Sequence, residues 1–252
     1  MSRVLVIPAA GLGSRLGAAV PKLLVPVAGV PMIDRLARLY RPHVALIVLI
    51  AHPSFAAQLR QHVAAWPLPV TVAVQQRPTG MLDAILLGAD AVQSGRSDEV
   101  WITWCDQVGV SPATIERLSS ALARDPHPAL AFPTVTSERP YIHLGRDARG
   151  RISSVLHRRE GDVMPAVGES DMGLFALTRT AYLDELPRYA AAPEIGRVTG
   201  ERNFLPFIPW LAATHRVVTF PSVDPMEAIG VNTPDDLVRV ERYLASRADP
   251  GR

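Results

Sequence analysis

The segment Ala9-Ala10-Gly11-Leu12-Gly13-Ser14-Arg15-Leu16, with Pro21-Lys22 close behind, is the part of this 252-residue chain best suited to holding an anion. It follows an apolar run, residues 4–7, that reads as a buried strand. Glycines let the main chain approach anionic oxygens, and the N–H groups of such a turn can cradle a phosphate. Ala10, Gly11 and Gly13 would form that cradle, with Arg15 and Lys22 adding positive charge. Lys22 is the only lysine among 26 basic residues, and it lies in a glycine- and proline-rich loop rather than on a solvated helix face. The pattern is not the dinucleotide fingerprint, because the third glycine is out of register and no acid follows the second strand. Nor is it a Walker A loop, which needs Gly-Lys-Ser/Thr.

Such a loop needs a strand before it and neighbours beside it. Buried or alternating runs at residues 4–7, 44–50, 70–75 and 100–104 read as strands. Helical patterns fall between or after them at 32–40, 54–66, 81–92 and 111–124. This alternation predicts an α/β fold: a mostly parallel, Rossmann-like sheet with helices on both faces. The site should lie beyond the carboxyl ends of the strands, where residue 10 onward, Gln75 and Asp106 all fall. The second half is less regular, with strands at 129–135, 141–144, 152–157 and 173–177 and helices at 204–213 and 234–245. Asn232-Thr233-Pro234 makes a good entry to the last helix, so Asn232 is a candidate cap. Residues 187–200 read as a loop with considerable freedom. The expected organisation is one domain over 1–252, with a nucleotide-binding half (1–125) and an acceptor-binding half (126–252) closing over the active edge.

At this level of detail the sequence resembles the nucleotidyltransferases that make nucleotide sugars, a family of glycosyltransferase-A-like architecture. Ala-Ala-Gly-x-Gly-x-Arg-Leu-x5-Pro-Lys matches the signature loop of that family without a gap, and Val27-Ala28-Gly29-Val30-Pro31-Met32 matches the segment after it. Gln75-Gln76-Arg77-Pro78-Thr79-Gly80 looks like the base-reading loop of uridylyl- and thymidylyltransferases. Trp104-Cys105-Asp106 is similar to the strand end whose aspartate holds magnesium. The stretch from Gly230 to Leu237 looks like the segment carrying the second metal ligand, here Asn232, in N-acetylglucosamine-1-phosphate uridylyltransferases. The resemblance covers nearly the whole chain, strongly at its ends and loosely over residues 130–225. It implies an Mg²⁺ cofactor, an NTP and a phosphorylated small-molecule acceptor as partners, and NDP-sugar and pyrophosphate as products.

The chemistry this implies is modest in its demands. A sugar phosphate is already an anion, so the site must position two anions and offset their repulsion rather than supply a strong base. Arg15, Lys22 and Asp106 are the expected catalytic groups, with Asp106 offering a hard oxygen for a metal or, alternatively, capping a loop. Gln75 has a donor and an acceptor for a pyrimidine edge, with Gln76 as a competing choice. The acceptor side departs from the family: Ile142-His143 stands where Tyr-Gly is expected, and Asp171-Met172-Gly173 where Asn-Thr-Gly is expected. His143, Glu169 and Asp171 are the expected acceptor-binding residues, and Arg158-Arg159-Glu160 and Thr199–203 are further groups on that side.

Composition narrows the rest. A net charge of +2 makes no case for nucleic acid. The longest apolar run, residues 44–51, is far short of a membrane span, and the N-terminus does not read as a signal peptide. A cytoplasmic protein is expected. Cys105 is alone and seven histidines show no metal spacing, so neither a disulfide nor a thiolate or imidazole metal centre is expected. Two alternatives stay open: a cytidylyl- or guanylyltransferase of the same fold acting on a non-sugar phosphate such as an alditol phosphate or molybdopterin, and a silent nucleotide-sugar-binding domain. The intact Arg15, Lys22 and Asp106 weigh against the second.

Overall fold

The structure, a computed structural model, describes residues 2–11, 16, 20–124 and 126–248. In chain order the first half comprises β1 (Arg3–Ala9), β2 (Pro26–Val27), β3 (Val30–Pro31), α1 (Met32–Tyr40), β4 (Leu46–Ala51), α2 (Pro53–Val63), β5 (Val70–Val74), α3 (Met81–Leu86), α4 (Ala89–Ser94), β6 (Glu99–Thr103) and α5 (Pro112–Leu122). The second half comprises β7 (Leu130–Glu138), β8 (Ile142–Arg146), β9 (Ile152–His157), β10 (Val167–Asp171), β11 (Leu174–Thr178), α6 (Leu186–Ala190), α7 (Phe207–Ala212), β12 (Val217–Pro221) and α8 (Pro234–Ala248).

Strands β5, β4, β1 and β6 lie side by side and parallel, as the alternation of the first half predicts. Their side chains alternate between two cores. Leu5, Ile7, Ile47, Leu49 and Trp101 pack with α1, α2 and α5, while Val4, Val6, Val48, Ile50 and Ile102 pack with α3, α6 and α7. Burial on both faces is why β1 and β4 are continuous apolar runs and why β6 is apolar at its centre. Ser111 caps α5 by accepting from the Thr114 N–H at 3.2 Å, with Pro112 in the first turn. Among the described residues, no helix is long and apolar enough to cross a membrane.

Beyond β6 the sheet turns mixed. β11 pairs antiparallel with β6, and β7 takes β12 along one edge and β11, then β10, along the other. β10 and β11 are therefore one strand path broken at Met172-Gly173, a break the apolar pattern over 173–177 does not announce. Gly173 has φ +66°, and a Cβ there would fall inside the Trp104 indole, 2.7 Å from Nε1. β8 and β9 form a separate hairpin packed on β10 and α7.

Three expectations change in detail. The helix expected over 81–92 is split into α3 and α4, because the Tyr182 hydroxyl donates to the Ile85 carbonyl at 2.5 Å, and a Cβ on Gly88 would sit 2.8 Å from that hydroxyl oxygen. The loop expected over 187–200 begins as helix, since α6 reaches Ala190. The helix expected over 204–213 is shortened to α7, its entry taken by a turn in which Phe204 and Leu205 carbonyls accept from Phe207 and Ile208.

Candidate active site

Parallel strands end together, so the segments following β1, β5 and β6 share one edge of the sheet. Ala10 and Gly11 follow β1 there; Gly13 and Arg15 lie outside the described residues. Lys22 begins a short 3₁₀ turn, Lys22–Leu24, whose Leu23 is buried in the core and fixes the backbone. The lysine stem then reaches across the edge. Its ammonium donates to Asp106 Oδ2 at 2.7 Å and to Asn232 Oδ1 at 2.9 Å. The three residues come from the loop after β1, the end of β6 and the entry to α8, and one ammonium joins them. Asp106 and Lys22 side chains are each 13% exposed, so the pair is largely withdrawn from water.

At the entry to α8 a neighbouring residue takes the capping role. Asp236 Oδ2 accepts from the Thr233 N–H at 2.9 Å, and Thr233 Oγ1 accepts from the Asp236 N–H at 3.2 Å. This reciprocal capping box makes Thr233 the cap of the last helix, not Asn232. The Val231 N–H donates to the Asp106 carbonyl at 3.1 Å, tying the two loops together. A Cβ on Gly230 would come 3.1 Å from the Asp106 carboxylate, so only glycine leaves this approach unhindered. Desolvation pushes the neighbouring Cys105 thiol up to about 12, which leaves it inert, as its lone position suggests.

Gln75 ends up buried, not facing solvent, while Gln76 is exposed. The Gln75 side-chain amide donates to the Gly80 carbonyl at 3.0 Å and so closes the 75–80 loop on itself. The amide's second N–H and its carbonyl oxygen are the groups a base edge would meet. Gly80, at φ +127°, lies against the Arg202 backbone, where any Cβ would clash with its N at 2.6 Å. Arg202 N–H donates to Thr79 O at 2.9 Å, Leu82 N–H donates to Arg202 O at 3.0 Å, and the Arg202 guanidinium pairs with Asp83. Sequence reasoning missed this clamp, because it joins segments 119 residues apart.

From Asp106 and Asn232 a cavity of about 1150 Å³ extends under the β8–β9 hairpin, lined by Trp104, Asp171, His157, Glu160, Asn203 and Arg239 among others. Glu160 closes its far side. Burial would raise its carboxyl, but bonds from Thr199 Oγ1 (2.6 Å), Val198 N (2.9 Å), Thr199 N (3.2 Å) and Asn203 Nδ2 (3.4 Å) outweigh that and hold it at about 2. The carboxylate therefore pins residues 198–203 over the cavity at any ordinary pH.

Of the three expected acceptor residues, only Asp171 lines the cavity. The pleat of β8 and β10 turns Ile142 and Ser170 toward it and sends His143 and Glu169 to the other side. Glu169 is held there by both arms of Arg146, each at 2.7 Å. Asp171 escapes this alternation because the strand breaks just after it, its Oδ1 accepting from the Gly173 N–H at 2.7 Å. Desolvation raises the Asp171 carboxyl from 3.8 to about 6, outweighing that bond. The native state thus keeps a proton that the unfolded chain releases near pH 4, and it loses stability as pH rises from about 4 to about 6. Asp171→Asn should remove this slope from urea midpoints measured across that window; a slope unchanged by the substitution would assign it to other groups.

The MobA-like NTP transferase domain matches residues 5–202, well over half the chain. The chain belongs to this family of nucleotidyltransferases. The chain is also similar in sequence to the bifunctional protein GlmU of Pseudomonas entomophila (strain L48), 31% identical over 98% of this chain and 52% of that protein. It is 28% identical to GlmU of Anaeromyxobacter dehalogenans (strain 2CP-C), over 96% of this chain and 49% of the relative. It thus spans about half the length of the curated relatives it matches. A solved structure, the inositol-1-phosphate CTP transferase from T. maritima, has the same fold, with a TM-score of 0.72 at 14% identity over 99% of this chain and 97% of that one.

Proposed function

We propose that the chain transfers a nucleotidyl group from a pyrimidine nucleoside triphosphate to the phosphate of a sugar-1-phosphate, releasing pyrophosphate, with magnesium as cofactor. The observation that carries this reading is the convergence of Asp106 Oδ2 and Asn232 Oδ1 on a single cationic group at the mouth of the cavity. A carboxylate and an amide oxygen are hard donors of the kind magnesium takes. Magnesium also keeps several waters and substrate phosphate oxygens in its shell, so two protein ligands suffice for it. When bound there, magnesium would supply charge neutralisation at the phosphates.

The chain's own residues do the rest. An acceptor phosphate oxygen attacks the α-phosphorus, a new P–O bond forms, and the bond to the β-phosphate oxygen breaks with pyrophosphate as the leaving group. Lys22 balances negative charge gathering on the phosphates, and Ala10-Gly11 presents backbone N–H groups at the end of β1. Trp104 and Asp171 form the wall that an acceptor would meet, and the loop pinned by Glu160 limits water. A second reading is cytidylyl transfer to a non-sugar polyol phosphate. It is favoured by Asp171 and His157 in the cavity, and by the name of the inositol-1-phosphate CTP transferase with which the fold is shared.

A pyrophosphate-release screen of four NTPs against a panel of phosphorylated acceptors tests both. Release is expected with UTP or dTTP and a sugar-1-phosphate; release only with CTP and an alditol phosphate selects the second reading, and silence with every pair removes both. In the same assay Gln75→Ala should reduce preference for the pyrimidine over ATP by about tenfold or more, roughly 1.4 kcal/mol. A wild-type preference for purines would show that the 75–80 loop is misassigned.

A further inference from the structure

We infer that Lys22 is the resident counter-ion of the Asp106–Asn232 pair, and that a divalent metal gains this pair only when nucleotide phosphates draw the ammonium away. The inference rests on the reading of Asp106 and Asn232 as metal ligands. The ammonium bonds the very two oxygens assigned to the ion, at 2.7 and 2.9 Å. Both side chains of the ion pair are only 13% exposed, so little solvent is available to screen a second cation arriving beside the first. An ammonium and a divalent ion sharing these two oxygens would repel each other at close range with little water between them, so the divalent ion is disfavoured while the ammonium stays. The lysine is built to leave. Its backbone is fixed by Leu23, which is 2% exposed, while a flexible four-carbon stem carries the charge. Phosphates held near Ala10 and Gly11, at the end of β1, would offer the displaced ammonium a new anion. The same movement then delivers positive charge to the substrate and uncovers the metal ligands. Metal without nucleotide finds the site already neutralised.

Mn²⁺ binding measured by electron paramagnetic resonance, without nucleotide, tests this directly. Lys22→Met should bind Mn²⁺ alone at least tenfold more tightly than wild type, whereas Lys22→Arg, which keeps the charge, should stay as weak as wild type. In the same absence of nucleotide, Mn²⁺ should raise the melting temperature of Lys22→Met and leave that of wild type unchanged, which also checks that the variant is folded. Because Lys22 is the only lysine, protein labelled with [ζ-¹⁵N]lysine gives one side-chain ammonium resonance. That resonance should ignore Mg²⁺ alone and move when Mg²⁺ is added with α,β-methylene-UTP or its CTP counterpart. Equal Mn²⁺ affinity in wild type and Lys22→Met, or a resonance displaced by Mg²⁺ alone, would overturn the inference while leaving the ligands in place. Nucleotide-free Mn²⁺ binding by Lys22→Met that survives a second substitution, Asp106→Asn, would instead remove the ligand assignment itself.

Discussion

Asp106→Asn should lower turnover by roughly 10²–10³-fold or more, and added Mg²⁺ should not restore it. The substitution keeps the shape of the side chain and an oxygen for Lys22, but deletes the only carboxylate that bonds the Lys22 ammonium among the described residues. A neutral amide holds a hard dication far less well than a carboxylate does. The fold should survive. Asn can still accept from the ammonium, Asn232 still bonds it at 2.9 Å, and the Asp106 main chain still receives the Val231 N–H. A loss of about 1–2 kcal/mol is expected, from weakening a charged hydrogen bond to a neutral one. Urea unfolding beside steady-state kinetics separates the two effects. A variant that unfolds at wild-type urea concentrations yet turns over at more than a tenth of the wild-type rate would show that Asp106 is not at the reacting centre.

Gly173→Ala should cost about 2–5 kcal/mol, a large loss for the addition of one methyl group. Two penalties combine. The residue sits at φ +66°, where a Cβ is strained, and that Cβ would enter the indole of Trp104. Gly150, with φ +78° and open space around it, supplies the control, since Gly150→Ala should cost only the conformational share of about 1–2 kcal/mol. Activity should fall with Gly173→Ala beyond what instability explains. Trp104 lies two residues before Asp106, and its main-chain N–H donates to the Gly173 carbonyl at 2.8 Å. Displacing the indole therefore moves the strand end that carries the carboxylate. A difference between the two alanine variants of less than about 0.5 kcal/mol in urea unfolding would contradict the packing at this break.

Where the fold and site were legible in sequence, a local pattern coincided with a global constraint. β1, β4 and β6 are buried on both faces, so their apolar runs are unambiguous, and Asp106 stands directly beyond one of them. Lys22 and Asn232 were legible because their surroundings, Pro21 on one side and Thr233-Pro234 on the other, are themselves local motifs. The acceptor side was not legible in this way. His143 and Glu169 have suitable chemistry, but the face each one takes depends on strand register, and a shift of one residue reverses it. The break at Met172-Gly173 that turns Asp171 inward depends on Trp104, remote in sequence. Glu160 gave no local signal for its role, since its partners, Val198, Thr199 and Asn203, lie 38 to 43 residues away. Trp104 and His157 line the cavity for equally nonlocal reasons.

Phosphoryl chemistry at one defined atom is what the arrangement of Lys22, Asp106 and Asn232 is proposed to serve, and an isotope experiment addresses that atom. An acceptor phosphate labelled with ¹⁸O would be incubated with Mg²⁺ and the NTP that releases pyrophosphate, and the products followed by ³¹P NMR. Attack of the acceptor oxygen on the α-phosphorus leaves ¹⁸O in the bridge of the new diphosphate, with an isotope shift on the nucleotide's α-phosphorus and none in pyrophosphate. Label in the pyrophosphate, or a product lacking the bridging label, would contradict nucleotidyl transfer at this site.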